Sequence, residues 1–472
     1  MSTEPAPATH AGPDAAELIA AHLARTSFDD LPQTTVAATK ASILDTLGCM
    51  LAGTASADIA AIGALVAESG GRASSTVVLG GGLQVPPAQA VLVNAAMVHQ
   101  FDYDDTHDLA ICHPTSASLP PALALAEARG GVSGRALIAA VALGSDLACR
   151  VALAIEGGLI DHPWFRAPVV GIFGATAAAA KILGASEAQH LEALGLALPM
   201  VSCTRASLHQ SGSSVRSIRD GLVYRNGVLA AELAMRGVHG DRGVFDGPYG
   251  YYQVFFRGAY QRDRLLHGLG TRYETEHVSL KPWPSRRTLH RTITAVLDVM
   301  TAHDLAFAQI DHVDVLVGAV NRPWCQPCGT GWVPRQRIDL LNNMLFAVGA
   351  AIRHRDVMLR LYCDPALADE IVTTAVPKVR WHEVGASGAG AISEPGQVRI
   401  VTLDGAVHEG RCEVPLGHPT RPMSPAQQRA KFVECAASAV RPVDAARAAE
   451  IVDVVMRLES LADIAELTRL LT

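Results

Sequence analysis

One segment of this chain limits how the rest can pack. Asn94 to Pro120 reads NAAMVHQFDYDDTHDLAICHPTSASLP and lies between stretches that are apolar and helix-forming. It gathers Asp102, Asp104, Asp105, Thr106, His107, Asp108, His113, Thr115 and Ser116. An isolated charge is costly to bury, so acids set between buried helices need a partner or a task. The segment is expected to form an irregular polar connection at the mouth of a cavity, and acid–base chemistry is sought there first.

The flanking sequence favours helices. Alanine and leucine are abundant, and aromatic residues make up only 5%. Apolar periodicity predicts helices over 14–25, 32–52 (closed by Gly53), 56–69, 86–98, 119–127, 133–155, 172–183, 186–197 and 222–236. Ser75–Leu79 is a strand candidate before Gly80-Gly81-Gly82. Asp146 and Arg150, four apart in a nearly all-apolar helix, are read as a core bridge rather than a cavity wall. After about Gly270 the pattern changes. Strands are expected at 312–320, 396–403 and 406–414, the last two around the hairpin signal Asp404-Gly405, with helices at 289–304 and 339–353. Residues 371–376 are apolar and either extended or helical. These readings divide the chain into a loose tail (1–14), a mainly helical part (15–270), a smaller α+β part (271–415) and a helical return (416–472).

Several functions are disfavoured. A net charge of −7 with scattered basic residues gives no footprint for nucleic acid. No eighteen-residue apolar run free of charge is present, so no membrane span is expected. The first residues lack the basic start and apolar stretch of a signal peptide. Nine cysteines, among them Cys49, Cys149, Cys363 and Cys435 in apolar contexts, read as buried thiols of a cytoplasmic protein. Glycine-rich pieces lack the strand–GxGxxG–helix setting of a dinucleotide site. Cys325-x-x-Cys328 has no second pair, and Ser211-Gly212-Ser213-Ser214 is a capping run rather than a nucleophile elbow. Asp104, Asp105, His107, Asp108 and His113 have metal-ligand chemistry but no metal-site spacing. No metal and no cofactor are expected.

The basic residues Arg205, Arg216, Arg219, Lys281, Arg286 and Arg287 lie beside serine, glycine and proline rather than on simple amphipathic faces. Facing the acidic segment, they suit a small substrate with two or three carboxylates. Abstraction of a proton next to a carboxylate needs a base near the carbon and positive charge where the enolate develops. His113, Asp102 and Lys281 satisfy these types. A leaving hydroxide takes its proton from His107, His113 or a nearby acid, and the sequence leaves open which group carries which proton.

The segments FDYDDTHDLAICHPTSASLPPALALAE, GSSVRSIRDGLVYRNGVLAAELAMRG, LKPWPS and PLGHPTRPMSPAQQRAKF, in this order, resemble the MmgE/PrpD family, which includes 2-methylcitrate dehydratase, cis-aconitate decarboxylase and iminodisuccinate epimerase. The resemblance implies a large all-helical domain built from both chain ends, a smaller α+β lid domain, a homodimer and a cleft between the domains. It also implies action on small polycarboxylates without a redox cofactor. By similarity Asp102 or Asp104, Thr106 and His113 map to the acid-rich site motif, and Lys281 to a lysine of the cleft. The chain departs from the family at Arg216 and Arg219, where relatives commonly carry lysine and then histidine, and at Arg286, often cysteine or histidine. Arginine does not shuttle protons near neutrality but can clamp a carboxylate.

The function expected from sequence is a cofactor-independent dehydratase of a 2-methylcitrate-like hydroxy-polycarboxylate. Asp102, Asp104, Thr106, His113 and Lys281 are its catalytic candidates, and His107, Arg205, Arg216, Arg219 and Arg286 bind substrate. An epimerase of an iminodisuccinate-like diacid, a cis-aconitate-type decarboxylase and a non-catalytic small-acid binding protein are the alternatives.

Overall fold

The computed structural model describes residues 12–78, 81–157, 162–206, 213–325, 337–384 and 394–472. Most of the N-terminal tail, Leu79 and Gly80 of the strand and turn expected near 75–82, Asp161, Ser211-Gly212 and Cys328 lie outside the described residues.

Helices build the first half: α1 (Ala15–Arg25), α2 (Gln33–Gly53), α3 (Ala57–Glu68), α4 (Pro87–Val98), α5 (Pro114–Arg129), α6 (Gly134–Leu153), α7 (Arg166–Leu183), α8 (Glu187–Ala197) and α9 (Val215–Met235). The side-chain oxygens of Asp14, Ser133 and Ser186 cap α1, α6 and α8 by accepting from backbone N–H groups of their first turns. α6 and α7 are long and apolar enough to cross a membrane, contrary to the reading of the sequence, but 89% and 83% of their apolar windows is covered by the protein itself. They meet where Gly144 faces Gly174. A Cβ on either would fall 2.6–2.7 Å from the other's carbonyl oxygen, so the backbones approach as only glycine allows.

Three helices begin earlier than periodicity suggests, and each shift matters for the site. α5 starts at Pro114, directly after His113; α7 starts at Arg166; α9 starts at Val215 and so carries Arg216 and Arg219 on one face. Polar residues mask an apolar period, and their burial becomes visible only when the helices are packed. Asp146 and Arg150 do form the core bridge: Arg150 Nε donates to Asp146 Oδ2 at 2.6 Å, and its other nitrogens donate to the carbonyls of Leu265, His267 and Arg272.

The smaller, β-containing region is a four-stranded sheet in the order β6-β5-β7-β8, from β5 (Ile310–Val317), β6 (Val379–Glu383), β7 (Gly396–Thr402) and β8 (Val407–Cys412). β5 pairs antiparallel with β7 but parallel with β6, a strand the sequence reading missed because its burial does not alternate. α10 (His290–Ala302) and α11 (Met344–His354) pack against this sheet and each other. The single helix expected over 339–353 is broken, with Asn343 capping α11 through Phe346 N–H. Residues 371–375 form a π-helical turn.

The chain then returns. α12 (Pro425–Ala437), α13 (Ala445–Met456) and α14 (Ala465–Leu470) join the N-terminal helices, with α12 against α2, so both chain ends build the large domain. Two short sheets stitch the connections: β1 (Ser75–Thr76) with β2 (Gln84–Val85), and β3 (Thr106–His107) with β4 (Val278–Ser279). The second pairing draws the acidic segment beside LKPWPS. Gly417, at φ +85°, accepts from Leu280 N–H; a Cβ there would meet the Leu280 carbonyl oxygen at 1.8 Å.

Candidate active site

The acidic segment leaves α4 at His99 and rejoins helical structure at Pro114. Its irregularity shows at Asp102 and Ile111, whose φ angles are +47° and +56°, left-handed conformations that a residue with a Cβ adopts only when its surroundings hold it; at Asp102 the partners are visible. The hold is ionic. Asp102 accepts from Lys281 Nζ at 2.5 Å and from Arg216 Nη2 at 2.5 Å, while Lys281 Nζ also donates to the Asp102 carbonyl at 2.7 Å. Burial opposes the Asp102 charge, but Lys281 and Arg216 outweigh it and keep the carboxyl well below the usual range.

Asp104 stands between two imidazoles. One oxygen lies 3.0 Å from His99 Nδ1, the other 3.1 Å from His113 Nδ1. Arg219 Nη2 lies 3.1 Å from His99 Nε2; a guanidinium only donates, so His99 Nε2 is the acceptor and its Nδ1 carries the proton facing Asp104. His113 Nδ1 donates to the Asp105 carbonyl at 2.8 Å, which leaves Nε2 as the nitrogen for the cavity that His113 lines. Burial depresses both histidines. In His99 it prevails, but in His113 Asp104 outweighs it and lifts the imidazole above its ordinary value. His113 is therefore set up as a proton donor.

The cavity measures about 100 Å³. Six arginines (Arg166, Arg205, Arg216, Arg219, Arg286, Arg287) and Lys281 line it, against two carboxylates, Asp102 and Asp108. Thr106, His113, Ile111, Trp164, Phe165, Ala167 and Thr288 complete the wall. Asp108 is spent on Arg287, which grips it at 2.7 and 2.8 Å; burial opposes the charge, yet Arg287 holds the carboxyl down at about 2. Arg219 stacks on Phe165 with its guanidinium carbon 3.9 Å from the ring centre, and Arg286 does the same on Trp324. Arg286 makes no ion pair among the described residues, and its buried Nε, like Nε and Nη1 of Arg216, has no hydrogen-bond partner there. Burial, then the nearby Arg216, brings the Arg286 guanidinium down to about 9. Buried donors without acceptors are expensive, and an anionic ligand would satisfy them.

Of the residues singled out from sequence, Asp102, Thr106, His113, Lys281, Arg205, Arg216, Arg219 and Arg286 share this cavity. Asp104 lies behind His113. His107 is elsewhere: Nε2 pairs with Glu274 at 3.2 Å and Nδ1 accepts from Ala110 N–H, so it fastens the loop rather than reaching the cavity. His99, Arg166, Trp164 and Phe165 were given no role in the sequence reading. Their only signal in the chain is the run HPWFRAP at 162–168, polar and aromatic between apolar stretches, and nothing marks His99 beyond its place before the acids.

Two groups, His99–Asp102–His113 and His99–Asp104–Asp220, bring ligand atoms close enough for a metal ion. Their acceptors already face Lys281, Arg216 and Arg219, and a divalent cation would stand against those positive charges. The donor set suits an anion better than a cation.

Residues 17–263 match the MmgE/PrpD N-terminal domain and residues 283–457 the MmgE/PrpD C-terminal domain. The chain is similar to the cis-aconitate decarboxylase-like protein oryM of Aspergillus oryzae, with 26% identity over 419 residues that cover 84% of each chain. It is also similar to the cis-aconitate decarboxylases of Mus musculus and Homo sapiens, each at 25% identity. Those alignments cover 92% of this chain and 88% and 89% of theirs.

Proposed function

This chain belongs to the MmgE/PrpD family, whose dehydratase and decarboxylase chemistry acts on small polycarboxylates, and on that premise we propose that it is a lyase that decarboxylates a small unsaturated tricarboxylate. The observation that carries this reading is the pairing of one proton-donating imidazole, His113, with a wall of arginines.

The chemistry asks for little more. Arg286 and Arg216, whose spare donors face no protein acceptor among the described residues, hold the two carboxylates. The carbon–carbon bond to the third carboxylate breaks and carbon dioxide leaves. The electron pair passes into the adjacent carboxylate-bearing double bond, where guanidinium charge stabilises it without reorganisation. One proton from His113 Nε2 then quenches the far carbon of that allylic system. Asp104 favours the imidazolium, with a proton on each nitrogen, and the Asp105 carbonyl fixes its orientation for this transfer. Trp164, Phe165 and Ile111 give the pocket a low-dielectric wall.

Dehydration, the preference drawn from sequence, is the second reading. It requires a base for the carbon-bound proton and an acid for the departing hydroxide. The feature in its favour is Lys281, a second proton carrier on the cavity wall, but His113 would have to begin neutral, against the pull of Asp104. A panel of unsaturated and hydroxylated tricarboxylates in D2O separates the two. Decarboxylation gives one carbon dioxide and one solvent deuterium on carbon per turnover; ultraviolet absorbance from a new double bond without carbon dioxide supports dehydration instead. Loss of neither group, with deuterium wash-in alone, points to epimerisation.

The same proposal includes a homodimer. Its support is the stripe Val215, Leu222 and Leu229, spaced by seven on α9 and each more than 40% exposed in the single chain. Light scattering on the purified protein tests it.

A further inference from the structure

Helix α12, in the returning part of the chain, sends one side chain against the two segments that carry Asp102 and Lys281. Lys431 is buried, and its ammonium donates to Asp45 Oδ1 at 2.6 Å, to the Tyr103 carbonyl at 2.8 Å and to the Lys281 carbonyl at 2.9 Å. It also lies 3.9 Å from the centre of the Tyr103 ring. Tyr103 separates the two site aspartates, and Lys281 pairs with the first of them. The Tyr103 hydroxyl in turn donates to the Pro282 carbonyl at 2.9 Å, and Lys281 Nζ to the Asp102 carbonyl at 2.7 Å. Residues 102–103 and 281–282 are thus cross-stitched by three side chains, and Lys431 is the only one of the three that belongs to neither segment.

We propose that Lys431 is a positioning residue: by holding the carbonyls of Tyr103 and Lys281 on one ammonium, it sets the separation of the Asp102 loop from the Lys281 loop and so the alignment of Asp102, Lys281 and His113 across the cavity. Burying an ammonium costs several kcal/mol unless charge and hydrogen bonds compensate it. Asp45 supplies the charge; the two carbonyls use the remaining donors. This division of labour separates structure from positioning. Among the described residues Asp45 makes no hydrogen bond to either loop, so its role is to stabilise Lys431. The loops are held by the two carbonyl contacts.

The inference rests on the proposed reaction only for its kinetic arm. Lys431→Met should lower kcat about 30- to 100-fold, the order of loss an ångström-scale misplacement produces, with KM within about threefold. Asp45→Asn keeps both carbonyl contacts and should lower thermal stability but leave kcat within about threefold. The double variant Asp45→Asn/Lys431→Met removes the unpaired buried charge, so it should regain stability relative to Lys431→Met but not activity. If kcat tracks stability across the three variants, the positioning role is overturned. A second arm needs no substrate. In ligand-free crystals of Lys431→Met, Lys281 Nζ should leave hydrogen-bond distance of the Asp102 carbonyl; an unmoved Lys281 overturns the proposal whatever reaction the protein catalyses. Wild-type protein that turns over no tricarboxylate, with Lys281 displaced in the variant crystal, sinks the decarboxylase reading and leaves this one standing.

Discussion

On the acidic side of the cavity Asp102, Asp104 and Asp108 each pair with basic groups: Lys281 and Arg216, His99 and His113, and Arg287. On the arginine side Arg216 Nε and Nη1 and Arg286 Nε find no partner among the described residues. Both walls are charged and at least half-buried, so the difference concerns ligands more than burial. The carboxylates of the acidic side meet their cations within the protein, with Asp104 Oδ2 and Asp105 Oδ2 left without a hydrogen bond among the described residues. The arginine wall is left incomplete and has donors to give to an anion.

The largest effect should come from His113, the proton donor of the proposed reaction. His113→Asn keeps a donor near the Nδ1 position facing Asp104 but removes the proton carrier. Turnover should fall about 10²- to 10⁴-fold with the fold retained, as measured by carbon dioxide release and circular dichroism. Because Asp104 raises the His113 value, wild-type activity should hold at acid and neutral pH and decline as pH rises through the raised imidazole value. A rate that climbs over that limb would reverse the donor assignment.

Substitutions on either wall should differ in kind. Asp102→Asn strands Lys281 and Arg216 without their carboxylate and should destabilise the fold by about 3–5 kcal/mol in chemical denaturation. Arg286→Met removes a half-buried cation with no ion-pair partner among the described residues, so stability should hold or rise. Its loss should appear instead in calorimetric titration with tricarballylate, a tricarboxylate with no double bond to react, as affinity reduced by about 2–3 kcal/mol. A destabilised Arg286→Met that still binds would break the comparison.

The smallest effect separates neighbours within the acidic wall. Asp104 and Asp105 are both fully buried. Burial pushes each carboxyl up, but the two histidines pull Asp104 well below its usual range, whereas Asp105, with only a weak contact to Thr115 N–H, is pushed up to about 7. A raised carboxyl keeps its proton in the fold, so its contribution to stability is greatest below the ordinary carboxylate range. That contribution falls as pH rises from about 4 to about 7, with no further change above. Asp105→Asn should remove this slope, making the variant no less stable than wild type at pH 8. If Asp105→Asn is more sensitive to pH than wild type, the neutral assignment fails.

Much of this was legible in the sequence, for identifiable reasons. Helix existence followed from apolar periodicity, and the Asp146–Arg150 bridge from a spacing of four. The acidic segment stood out because charge between buried helices needs compensation, and the arginines that compensate it stood out by their glycine, serine and proline neighbours. The starts of α5, α7 and α9 were not legible, since Thr115, Ser116, Arg166, Arg216 and Arg219 are polar residues buried for the site's sake and interrupt the period that marks a helix. β6 was missed for want of alternation.

The sequence by itself determined which residue types the cavity draws upon, because local pattern and charge cost are properties of the chain. Tertiary structure alone decided their roles. It placed His113 on the cavity and His107 on Glu274, held the Asp104 carboxyl below its usual range while burial pushed that of Asp105 up, and brought Lys431 from 328 positions away to the carbonyl of Tyr103. Proton position and hydrogen-bond partnership depend on which groups share a buried volume, and that proximity exists only after the chain has folded.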